Sequence, residues 1–164
     1  MHGSLELDNA FWQFSLSIYG QVDVAEECLA LQEAIGIDVN LLLFCAWLGT
    51  QGVILSRDDI AASVETIEAW SENVVRPLRG VRQRMKGLYR NEFADLRERV
   101  KALELEAEQV EQAILFAHAK KIHGAGAGAD RRKAIGQNVD QYLKTVSVPA
   151  SAPRLIAAVE STIS

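Results

Sequence analysis

Between Asp38 and Leu48 the chain reads Asp-Val-Asn-Leu-Leu-Leu-Phe-Cys-Ala-Trp-Leu, and from Leu41 onward no polar side chain interrupts it. A helix that is apolar on every side has to sit in the middle of a fold. At about 11 residues the run falls well short of the roughly 20 that cross a bilayer, so it reads as a core helix and no membrane span is expected. Gly36 can take the left-handed conformation that closes a preceding helix, and Asp38 can accept bonds from the free amides of the next. The hub helix is therefore expected at about 39–48.

A short helix cannot be a hub without a shell, and the flanking sequence supplies one. Asp8 or Asn9 can cap a first helix with Phe11, Phe14, Ser15 and Ile18 on one side, ended by Gly20. Val24, Cys28, Leu31 and Ile35 recur at helical spacing in a second. Ser56-Arg57-Asp58-Asp59 opens another, with Ile60, Val64, Ile67 and Val74 as its inward stripe and Pro77 kinking it or starting the next.

From Tyr89 to Ala117 apolar residues alternate at four and three residues, through Phe93, Leu96, Val100, Leu103, Val110 and Ile114. That is a coiled-coil seam. Leu78, Val81, Met85 and Leu88 form a second seam offset by one residue, as a stutter would, so one long helix is expected over about 77–122. The glycine-alternating tract 123–129 reads as a linker, and Asp130 and Pro153 introduce two short C-terminal helices. No stretch alternates with period two. The expected fold is all-α: a single-domain helical bundle of 164 residues, with the hub and its shell at 1–75, the long helix, the linker, and C-terminal helices at 130–164.

Phe11-Trp12-Gln13-Phe14-Ser15-Leu16 with Tyr19, then Cys28-Leu29-Ala30-Leu31-Gln32, then Gly36-Ile37-Asp38-Val39-Asn40-Leu41-Leu42-Leu43-Phe44, carry a resemblance. They resemble a family of small bacterial proteins, known mainly from proteobacteria, with an FWxFSLxxY start, a CLxLQ segment and a GxDVNLLLF hub. The resemblance implies one domain and bacterial origin. It implies no activity and brings no catalytic residues.

No positively charged leader with an apolar stretch and cleavage site opens the chain, so a cytoplasmic location is expected. Cys28 and Cys45 then read as reduced, buried thiols. Residues 1–56 contain no Lys or Arg to activate a thiolate, which argues against a nucleophilic role. His118 and His123 are five apart rather than on one helical face, and the glycine tract before Arg131 lacks the strand and GKS/GKT of a phosphate loop. No catalytic residue, metal or cofactor is expected.

Three readings of function remain, from different classes. The first is a non-enzymatic protein–protein interaction or adaptor module, in which Phe93, Leu96, Val100, Leu103, Val110 and Ile114 bind a protein partner or a second copy in a homo-oligomer. The second is a small apolar ligand, bound or transformed near the hub by Trp12, Gln32, Asp38, Asn40 and Trp47. The third is association with RNA or the ribosome. Residues 76–90 hold six cations and no acid, and Arg76, Arg79, Arg82, Lys86 and Arg90 line one side of a helix, opposite the Leu78–Leu88 seam. Against nucleic acid, the net charge is −5 and only Tyr89 could stack on a base. The acids of 92–111 are expected on the solvated exterior of the coiled coil.

Overall fold

The computed structural model describes residues 4–88, 92–122, 130–146 and 148–163. Among these residues there are eight α-helices and no strand, and the fold is an all-α bundle. The helices are α1 (Ala10–Tyr19), α2 (Val22–Ile35), α3 (Val39–Thr50), α4 (Arg57–Trp70), α5 (Arg76–Gly87), α6 (Ala94–Ala119), α7 (Arg131–Leu143) and α8 (Pro153–Glu160). Tyr89, Arg90, His123 and the glycine tract lie outside the described residues.

The hub is α3. Every residue from Asn40 to Ala46 is buried, as are Leu48 and Gly49. Its ends are set locally: Gly36 sits at φ 67 and closes α2, while Asp38 Oδ1 accepts the Leu41 amide at 3.1 Å. Phe11, Ser15 and Ile18 of α1 and Val24 and Cys28 of α2 turn toward the core.

α7 packs most tightly on the hub. A Cβ at Gly49 would lie 2.6 Å from Ile135 Cα, a distance no side chain tolerates, so glycine is what allows α3 and α7 to touch. Beside that contact the fully buried Asn138 donates to the carbonyls of Cys45 (3.1 Å) and Val53 (2.8 Å) and accepts the Leu55 amide at 2.8 Å. One side chain thereby satisfies three backbone groups of the chain leaving the hub, each costly to bury alone. At α8 the free amides of Arg154 and Leu155 are met by the Glu27 carboxylate of α2.

α4 starts on the expected capping box, with Ser56 and Asp59 exchanging hydrogen bonds. Its inward stripe differs from the one expected. Ser63 and Val75 are buried, whereas Val64 is exposed and Val74 half-buried. Ile60, Ser63, Ile67 and Ser71 form the buried line at ordinary α-helical spacing, with Val64 one residue off it. Beyond them a π-helical turn over Ser71–Val75, where the Arg76 amide bonds to the Ser71 carbonyl five residues back, puts Val75 rather than Val74 on that line. Pro77 then falls in the first turn of α5, where a missing N–H costs least.

The continuous helix expected over 77–122 is not what forms. α5 ends at Gly87, Leu88 is extended (φ −111, ψ 132), and α6 begins at Ala94 and returns along α5. The break coincides with the one-residue offset between the two apolar seams. A glycine placed there lowers the cost of stopping, and turning back lets arginines of α5 reach glutamates of α6. The result is a helical hairpin, hereafter the arm.

Candidate functional site

The arm is built inside out relative to an ordinary amphipathic pair. On α5, Arg79 Nε donates to Glu104 Oε1 at 3.1 Å and Nη2 to Glu108 Oε1 at 2.7 Å, while both Nε and Nη2 of Arg82 donate to Glu104. These four side chains are mostly covered, and Glu104 is buried. No residue of α5 is buried. Several apolar side chains face outward instead: Val81, Leu88, Leu96, Leu103 and Leu105 are all exposed, Leu88 by 62% and Leu103 by 52%, while Leu78, Met85 and Val100 are half-buried.

The charges respond to this burial. Burial would raise the Glu104 carboxyl, but the hydrogen bonds and charges of Arg82 and Arg79 hold it below the ordinary range. Glu108 has only Arg79, and burial wins, so its carboxyl is raised. The acids of 92–111 are thus not all a solvated exterior. Glu104 and Glu111 are buried, and the like-charge pair Glu104/Glu108 is reconciled by the guanidinium of Arg79 between them.

Where the arm joins the hub, a buried polar network links α3 to α6. Asn40 Nδ2 donates to Glu111 Oε2 at 2.5 Å, and Gln112 Nε2 donates to Asn40 Oδ1 at 2.8 Å. Glu111 is fully buried and its Oε1 has no hydrogen-bond partner among the described residues. Burial, with the nearby charge of Asp38, pushes its carboxyl up to about 7. Trp70 Nε1 donates to the Ala107 carbonyl at 2.9 Å and further ties α4 to α6.

Beside this network a cleft of about 190 Å³ opens at the start of the hub helix, lined by Asp38, Leu41, Ser71, Arg76 and Tyr142 among others. The Tyr142 hydroxyl accepts the Asp38 amide at 2.9 Å, and Ser71 Oγ donates to Asp38 Oδ2 at 3.3 Å. Ser71, one α-helical turn beyond Ile67, is brought here by the register of α4.

The structure distributes the residues expected to form a ligand pocket. Only Asp38 lines the cleft. Asn40 belongs to the buried network, and Trp47 stacks into an aromatic core cluster, 5.3 Å from Phe11 and 5.7 Å from Phe116. Trp12 and Gln32 are half-buried on α1 and α2, away from the cleft. A tryptophan pair and a polar pair near one helix in sequence do not fix which side of that helix each will face.

The basic stripe also divides. Arg79 and Arg82 point at α6, not outward and not at the acidic first 56 residues; Arg76 lies 3.9 Å from Glu72, and Lys86 is exposed. On α5 the stripe and the seam do not divide into an inner and an outer side: Arg79, Arg82, Leu78 and Met85 are all half-buried, while Arg76, Lys86, Val81 and Leu88 are exposed. The α6 seam splits at its middle. Val110 and Ile114 are half-buried at the bundle, Val100 is half-buried, and Phe93, Leu96 and Leu103 are exposed where α6 runs out along the arm. Cys28 and Cys45 are buried free thiols, each pushed up to about 12 by burial, which leaves them protonated. No helix among the described residues is long and apolar enough to cross a membrane.

Sequence reasoning missed Glu104, Glu111, Gln112 and Asn138. Glu104 and Glu108 are four apart on one side of α6, and Arg79 and Arg82 three apart on one side of α5, which was the available signal for a pairing between the two helices. Nothing local marks Asn138.

A protein-family model described as "Protein of unknown function (DUF2390)" matches residues 10–115, from the first helix through the hub and α5 and along most of α6. The chain belongs to that family. No curated protein and no solved structure matches it.

Proposed function

We propose that this protein is a non-enzymatic helical interaction module whose contact element is the α5–α6 arm. The observation that carries this reading is the outer face of the arm: Arg79, Arg82, Glu104 and Glu108 are paired inside, while Val81, Leu88, Leu96, Leu103 and Leu105 face outward. Desolvating charge inside and hydrating leucine outside is costly for an isolated hairpin, and a partner that covers the leucines offsets that cost. A photo-crosslinking side chain in place of Leu103 should give a discrete protein adduct in cells, lost when Leu96 becomes Glu. The same probe in place of Glu65, on exposed α4, should give none. Equal yields at both positions, or none at either, would sink the reading.

A second reading is a small-ligand site at the Asp38 cleft, which the convergence of Ser71, Arg76 and Tyr142 favours. The cleft's apolar wall includes Leu41, and the test is quenching of tryptophan emission by lipophilic ligands in the wild type and not in Leu41→Trp, which fills it. For RNA binding no comparable observation speaks, because Arg79 and Arg82 are engaged by glutamates.

A further inference from the structure

We infer that the occupant of the arm's outer face is a second copy of this chain, docked antiparallel through α6 about a two-fold axis at Leu103. The inference rests on the interaction reading above and names its partner. At 100° per residue Leu96, Leu103 and Val110 fall within about 40° of one another, roughly a quarter turn from the Glu104 line that faces α5. Leu96 and Leu103 are exposed and Val110 half-buried, so a continuous apolar strip runs along the side of α6 away from the arginine pairs.

That strip is self-complementary. Leu96 and Val110 are symmetric about Leu103, so antiparallel docking sets Leu103 against its own counterpart and Leu96 against Val110 of the second copy. The bordering charges obey the same symmetry. Arg99 and Glu106 are both exposed, neither is engaged by an ion pair among the described residues, and they are symmetric about a point half a residue before Leu103. Half a residue is about 0.75 Å along a helix axis, within the reach of either side chain. Each copy therefore places Arg99 beside Glu106 of the other, twice per dimer. Parallel docking would instead carry these two residues to opposite flanks of the interface in the two copies, where Arg99 does not meet Glu106, which disfavours that arrangement. An isologous interface of this kind closes after two copies.

The test uses the full chain. Leu103→Cys should form a covalent dimer under mild oxidation, because a residue on the axis meets itself within disulfide range, and Cys28 and Cys45 are buried and do not compete. The same change at exposed Glu65 should leave monomer. By sedimentation equilibrium, R99E and E106R should each weaken the wild-type dimer at least about tenfold, and R99E/E106R together should restore it. Both sites are exposed, so the variants should keep the wild-type helical circular dichroism spectrum. Monomeric wild type at high micromolar concentration, or single charge variants that dimerise like wild type, would overturn the proposal. If the wild type is monomeric yet the Leu103 photo-probe still captures a protein, self-association is overturned and the interaction reading survives; if both fail, both fall.

Discussion

The bundle and the arm are made from similar residues arranged in opposite ways. Around α3, Leu42, Phe44 and Leu155 are fully buried, and of the polar groups that enter, Asn138 satisfies backbone while Asn40, Glu111 and Gln112 bond to one another. In the arm, Arg79, Arg82 and Glu104 point inward and Leu88 and Leu103 point to solvent. The bundle obeys the hydrophobic rule within one chain. The arm leaves several leucines uncovered by its own chain, and that difference separates the part that holds the fold from the part proposed to make contact.

The comparison breaks first where the two regions are most unlike. Phe44→Ala should cost about 3–5 kcal/mol in chemical denaturation, since its ring is wholly buried against Phe11 and Trp47. A loss below about 1 kcal/mol would mean the hub is not the core. Asn138→Ala comes next, at about 1–3 kcal/mol, because it strands buried groups at Cys45, Val53 and Leu55. Asn138→Asp should be no milder, since a carboxylate cannot donate to two carbonyls.

The junction between the regions is sharpened by pH. Glu111 binds its proton more tightly in the folded chain, about 7 against an ordinary 4.5, so its contribution favours folding below 4.5 and is lost as pH rises toward and through 7. Glu111→Gln keeps a neutral side chain at every pH and should flatten that fall. An unchanged slope in the variant would show that another group carries it. Smallest of all, Leu103→Ala should change monomer stability by no more than about 0.5 kcal/mol when measured at low protein concentration. A loss as large as that of Phe44→Ala would place Leu103 in the core and erase the distinction.

Much of the bundle was legible because its signals are local. An unbroken apolar run can only be buried; Gly36, Asp38, Ser56 and Asp130 mark helix ends through their own backbone and side-chain chemistry. The arm was legible in its periodicity and misread in its geometry. A heptad repeat says that one side will be covered without saying by which chain, and the one-residue offset near Leu88 reads equally as a stutter or as a turn. The π-turn at Ser71–Val75 has no signature in residue type, yet it moves the end of the buried line from Val74 to Val75. Asn138 and Glu111 act on residues 83 and 71 positions away, and such pairings are invisible to a reading that sees only neighbours.

The central claim is that the outward leucines of the arm join two copies of the chain rather than hold the fold. Light scattering of wild type and L96E/L103E, each verified as helical by circular dichroism, tests it most directly. The account predicts a wild type at twice the chain mass and a folded double variant at the chain mass. Equal masses for the two, or a variant that has lost its helical signal, would contradict it.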